Sequence, residues 1–229
     1  STPARWASSR SASPNSTPSF FITKEKISPP SEQAPKQCQL WRAGSTTKDG
    51  VRSEWKGQGV VLDAVARLNR DGLRTVVVFA GRDTDSPELK ERAKKAGVPA
   101  EDCRFLGFRE DIPELLSLFS VSVNAALRGE GISGALRESL AMEVPAVASA
   151  AGGNAELVVD GVTGRLFKAG SDEELARVLK ETIRDLAAAK GLARAGSAVV
   201  RERFSDTLSV RLTMAYYARL AERQKYKAG

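Results

Sequence analysis

Histidine is absent from all 229 residues. That removes Ser-His-Asp and Cys-His catalysis, and every histidine-ligated metal centre, from consideration. Cysteine occurs only twice, at Cys38 and Cys103, in segments of different character. Such a pair supports neither a disulfide framework nor a zinc cluster and points to a reducing, cytoplasmic compartment. No apolar run approaches the roughly 20 residues a membrane helix needs, so no membrane span is expected. Acid is the scarcer charge, giving a net +7, yet residues 1–50 hold seven Lys/Arg against three Asp/Glu and so carry more than half of that excess. The remaining body shows no basic stripe interleaved with aromatics, and no nucleic-acid partner is expected.

What is present divides the chain near residue 50. Residues 1–50 are rich in Ser, Thr and Pro, hold six of the ten prolines and show neither helical nor strand periodicity. A segment of that kind cannot bury enough apolar surface to offset its ordering entropy, so it reads as a disordered or low-complexity extension. Its first two dozen residues carry Arg and Ser without acid, a composition shared by organelle transit peptides and by plain linkers.

Residues 51–229 read as one α/β domain. "GQGVVLDAVARLNRDG" (57–72) is an amphipathic helix closed by glycine, and "LRTVVVFAG" (73–81) a buried strand. "SPELKERAKKAG" (86–97) has Ser86 as N-cap, Pro87 at the first position and Gly97 at the stop. Strands are expected at 102–106, 120–126, 145–149 and 163–170. Helices are expected at 111–118, 134–143 and 154–159, and two or three more fill 171–223. Short apolar strands alternating with helices predict a doubly wound parallel sheet, the Rossmann-like class.

The informative stretch is "GEGISGALRESLAMEVPAVASAAGGNAE" (129–156). Beyond the carboxyl end of a parallel strand, Gly129, Gly131 and Gly134 allow a tight turn whose bare amides suit a phosphate, with Ile132 between them and Ser133 adding a hydroxyl. Glu130 and Glu138 stand about 12 Å apart along a helix axis and about 80° around it, so both can face one cleft. Paired carboxylates beside an anion cradle suit the vicinal hydroxyls of a ribose and a hexose, which satisfy their lone pairs. The letters "GEGISG" also match the dinucleotide fingerprint G-x-G-x-x-G, although the next strand ends "VASAAGGN" without the acid that a ribose of NAD requires. "DTD" (83–85) has the letters of a divalent-ion motif but reads as a polar loop before the Ser86-capped helix.

Taken together, "EGISGALRESLAMEVPAVASAAGGNAELVVDGVTGRLF" (130–167) resembles the signature region of retaining GT-B glycosyltransferases with the E-x7-E motif, the glycosyl transferases group 1. That family reads EG, six residues, E, then G-x-P-V-V-A-T, GG-x-x-E and DG-x-T-G-x-L. "SEWKGQGVVLDAVARL", "VVVFAGRD" and "RFLGFREDIPELLSLFSVSVNAA" extend the similarity over about 51–221. The resemblance implies the donor-binding half of a GT-B fold that moves a hexose from a nucleoside-diphosphate sugar to a carbohydrate or lipid-linked acceptor with retention. Glu138 would accept from the ribose hydroxyls, Glu130 would contact the donor sugar, and the amides of Gly131, Ile132, Ser133 and Gly134 would hold the distal phosphate. Lys56 and Arg52 would neutralise the departing diphosphate. No metal and no cofactor beyond the donor substrate is then expected.

The chain departs from the family at several places. The acceptor-binding half is expected to come from elsewhere, a second chain included. The opening strand reads poorly in "QCQLWRAGSTTKDG", and Ser139 replaces the alanine that usually follows the second glutamate. Two other readings therefore stand beside the transferase: a non-catalytic truncated or partner-subunit copy that at most binds nucleotide, and a dinucleotide-binding oxidoreductase.

Overall fold

The computed structural model describes residues 38–42, 54–128 and 131–227, and the side chains of 55–128 and 131–221. Arg52, Gly129 and Glu130 lie outside the described residues.

Six strands form one wholly parallel sheet: β1 (Cys38–Arg42), β2 (Thr75–Ala80), β3 (Cys103–Gly107), β4 (Val121–Asn124), β5 (Ala146–Ser149) and β6 (Arg165–Phe167). Their order is β3-β2-β1-β4-β5-β6, the doubly wound arrangement that the alternating pattern predicts. Between and after them run α1 (Gln58–Arg70), α2 (Pro87–Ala96), α3 (Ile112–Ser117), α4 (Gly134–Ala141), α5 (Asn154–Leu157), α6 (Asp172–Arg184), α7 (Leu186–Arg203) and α8 (Asp206–Lys227).

One boundary needs correction. The extension read as disordered through residue 50 contains β1, which sits in the middle of the sheet with Leu40 opposite Val77 on one side and Val121 on the other. Five residues with polar neighbours carry no periodic signal of their own. They enter the sheet because β2 and β4 each offer a row of backbone partners that must be satisfied.

Helices lie on both faces of the sheet. Val147 belongs to the cluster built from Val61, Leu62, Val65 and Leu68 of α1 with Leu175, Val178 and Leu179 of α6. Its neighbours Ala146 and Ala148 pack instead with Leu136 and Leu140 of α4 and Val200 of α7. Alternate residues of one strand thus serve opposite layers, which is why β5 is apolar throughout.

The helix stops follow one pattern. α1 and α2 end on Gly72 and Gly97 with φ of 79° and 78°, and in each the residue after the glycine donates back across the last turn, Leu73 to the carbonyl of Leu68 and Val98 to that of Ala93. α4 ends the same way, with Val144 donating to Ser139. There, however, Glu143 takes the left-handed position, at φ 57°. The Ser139 departure has its own partner: buried, its hydroxyl lies 2.8 Å from the Ser122 hydroxyl on β4 and 2.8 Å from the Ala135 carbonyl.

Candidate functional site

In this strand order the chain reverses direction across the sheet between β1 and β4, and in open parallel sheets ligands bind beyond the carboxyl ends of the strands at such a switch point. The segment from Ala125 to Ser133 leaves β4 at that point and enters α4. The glycine-rich turn therefore follows the fourth strand. In a dinucleotide fold the fingerprint belongs to the turn after the first strand, so the match of "GEGISG" to that pattern is one of letters alone.

Two neighbouring segments brace this loop. Residues 54–56 make a single 3-10 turn, and the Leu127 amide donates to the Trp55 carbonyl at 2.6 Å. Gly57 follows with φ 66°, so close that a Cβ there would meet the Ala125 carbonyl oxygen at 2.2 Å. Only glycine fits. The contact holds Lys56 at the same end of the sheet as the start of α4. Lys56 is buried, with its ammonium 4.0 Å from the centre of the Trp55 ring. From the other side comes the turn after β5, where a Cβ on Gly153 would stand 3.0 Å from the Gly131 carbonyl carbon. The "GG" of the sequence is in part a fit of one loop into another.

Beneath the loop lies a buried polar network that reading the sequence missed. Asn124 Nδ2 donates to Ser133 Oγ at 3.0 Å, and Asn124 Oδ1 accepts from the Ala126 amide at 3.1 Å and from Asn154 Nδ2 at 3.2 Å. Asn154 also donates to the Ser149 carbonyl at 3.1 Å, while Ser149 Oγ donates to the Ala126 carbonyl at 2.6 Å. All four side chains are buried. Two asparagines at strand or helix ends, in "VNAA" and "GGNAE", were the available signal, because a buried amide beside a loop is costly unless the loop satisfies it.

The expected site residues fall into two groups. Lys56, Gly131, Ile132, Ser133, Gly134 and Glu138 are brought to the β4–α4 crossover or its immediate neighbours. Ser133 differs from expectation in orientation, since its hydroxyl is buried and engaged with Asn124. Glu130 and Arg52 are not among the described residues. Glu138 lies in the second turn of α4 on its exposed side. Solvent reaches it, but surrounding protein removes enough hydration to push its carboxyl up to about 7, with Arg137 pulling weakly the other way.

The "DTD" loop is built as a turn. Thr84 is buried and its hydroxyl lies 2.9 Å from the Gly81 carbonyl and 3.2 Å from that of Phe79. Asp83 adopts φ 60°. Among the described residues no helix is long and apolar enough to cross a membrane.

Residues 49–185 match the family described as Glycosyl transferases group 1. The chain belongs to that family. EpsD from Bacillus subtilis (strain 168) is 35% identical over 126 residues, which are 55% of this chain and 32% of EpsD. HepE from Anabaena, in its crystal structure in complex with UDP, is 26% identical with a TM-score of 0.67, over 80% of this chain and 48% of HepE. The C-terminal domain of a group 1 glycosyltransferase, LpcC from Francisella tularensis, shares the fold at a TM-score of 0.58 and 23% identity, covering 74% of this chain and 86% of that domain. This chain thus spans about a third of EpsD and about half of HepE. It corresponds to the C-terminal domain of a group 1 glycosyltransferase with the GT-B architecture.

Proposed function

We propose that this domain binds the nucleoside-diphosphate end of a nucleotide sugar at the β4–α4 crossover and acts in transfer of its hexose, with retention, to a carbohydrate or lipid-linked acceptor. One observation carries the reading. The glycine loop and the start of α4 stand at the switch point of the sheet, braced by Gly57 and Gly153, with Lys56 held alongside. HepE, which has been crystallised with UDP-glucose at 25% identity to this chain, supports the same choice of ligand class.

In this reading the amides of Gly131 to Gly134 and the helix start carry the distal phosphate, where the partial positive charge of the helix end favours an anion. Glu138 accepts from the ribose hydroxyls, and Glu130 contacts the hexose. Lys56, with Arg52, offsets the charge that builds as the nucleoside diphosphate departs. Fixed cations and amides lower such a barrier because they need not reorganise during the reaction. These groups supply the stabilisation from the protein itself, so the proposal assigns no metal or cofactor. A second α/β domain, in the same protein or in another chain, supplies the acceptor surface.

Calorimetry with UDP-glucose, UDP, GDP, ADP and NAD tests the reading. Binding of one nucleoside diphosphate, lost in Glu138→Ala, is the expected result. Binding of NAD alone would overturn it. A non-catalytic copy would bind nucleotide yet transfer no sugar even when an acceptor domain is added.

A further inference from the structure

We propose that Asn124, anchored by Asn154, acts as a positioning residue that keeps the Ser133 hydroxyl from capping α4, so that the first amides of the helix stay open to the donor's phosphate. The inference rests on the donor-binding reading for its purpose, though not for its geometry.

Serine or aspartate precedes α2, α6 and α7 as well, and there the side chain does cap. Ser86 accepts from the Leu89 amide at 3.3 Å, Ser171 from the Glu174 amide at 3.1 Å and Asp185 from the Ala188 amide at 2.9 Å. Ser133 holds the same position before α4, with φ −63° and ψ 122°, close to the φ −63° and ψ 148° of the capping Ser86. Its backbone is therefore already in the N-cap conformation, and only rotation about χ1 separates its hydroxyl from the second and third amides of the helix, those of Ala135 and Leu136. Ser133 nevertheless makes no side-chain cap. Asn124 holds its oxygen instead, at 3.0 Å.

The orientation of Asn124 is in turn determined by its neighbours. Its Oδ1 accepts hydrogen bonds from the Ala126 amide and from Asn154 Nδ2. Turning the amide over would set its NH₂ against those two donors. Asn154 cannot turn over either, because its Nδ2 faces two acceptors, Asn124 Oδ1 and the Ser149 carbonyl. Asn154 Oδ1 is itself buried without a hydrogen-bond partner among the described residues. An unsatisfied buried oxygen is costly. A self-capped helix would have its amides engaged by Ser133 before any phosphate arrived.

Two readouts on the full chain test this, one without ligand. In Asn124→Ala the Ser133 hydroxyl is released, and amide hydrogen exchange at Ala135 and Leu136 should slow by about tenfold relative to the rest of α4. Adding Ser133→Ala should return it to the wild-type rate. By calorimetry, UDP affinity should fall by about tenfold in Asn124→Ala and recover in part in the double variant, because the amides are open again. Asn154→Ala, which loosens Asn124 without removing it, should shift both readouts the same way by less. Exchange at Ala135 and Leu136 that is unchanged or faster in Asn124→Ala, or a double variant that binds UDP no better than the single one, would overturn the proposal. Wild-type protein that binds no UDP while the exchange pattern holds would instead remove the donor-binding reading and leave the positioning geometry standing.

Discussion

Single residues show best what the chain spends on its site. Glu138 is kept from full hydration, and its carboxyl is pushed up to about 7. A carboxyl raised above its unfolded value holds a proton in the folded protein that the unfolded chain has released, so stability falls as pH rises from about 4.5 to about 7. Ligand binding runs the opposite way if Glu138 accepts from ribose hydroxyls. UDP-glucose affinity should rise by about tenfold between pH 6 and pH 8, and Glu138→Gln should flatten that profile. UDP-glucose suits the measurement because its diphosphate does not titrate there. A profile equally steep in the variant would take Glu138 out of the site. Glu143 gives a second prediction. It occupies a left-handed helix stop at φ 57°, where the family pattern has glycine. Glu143→Gly should stabilise the protein by about 1 kcal/mol, read as a higher midpoint in denaturant with an unchanged slope.

At the scale of elements, the sequence was most legible where local chemistry acts alone. Ser86, Pro87 and Gly97 mark the two ends of α2, and the structure begins and ends that helix at those marks. Val76, Val77 and Val78 mark β2 in the same way. β1 was only weakly legible: the family resemblance puts an opening strand in "QCQLWRAGSTTKDG", but nothing in "CQLWR" separates it from the polar residues around it, and Leu40 finds its partners only at Val77 and Val121. Its place in the centre of the sheet makes it sensitive. Leu40→Pro should remove a backbone donor between two ladders and cost at least about 3 kcal/mol, abolishing a single cooperative unfolding transition. Leu40→Val should leave that transition in place. If Leu40→Pro unfolds like the wild type, β1 is not part of the folded sheet.

For the molecule as a whole, the sheet separates two apolar layers, one around Leu62 under α1 and α6, the other around Leu140 under α4 and α7. Both leucines are fully buried. Leu62→Ala and Leu140→Ala should each cost about 2–5 kcal/mol. Because the strands stand between them, the double variant should show the sum to within about 0.5 kcal/mol. A large shortfall would mean that the layers are not independent.

From its letters alone the chain declared its α/β class, most of its helices and strands, and the run of glycines and acids at 129–156, because caps, turns and the two hydrophobic periods act within a few residues of one another. The insertion of β1 between β2 and β4, the fit of Gly57 and Gly153 against the loop, and the inward turn of Ser133 toward Asn124 were decided only by folding. Each depends on backbone or buried polar groups far apart in sequence finding partners once water is excluded, and no local pattern records that requirement.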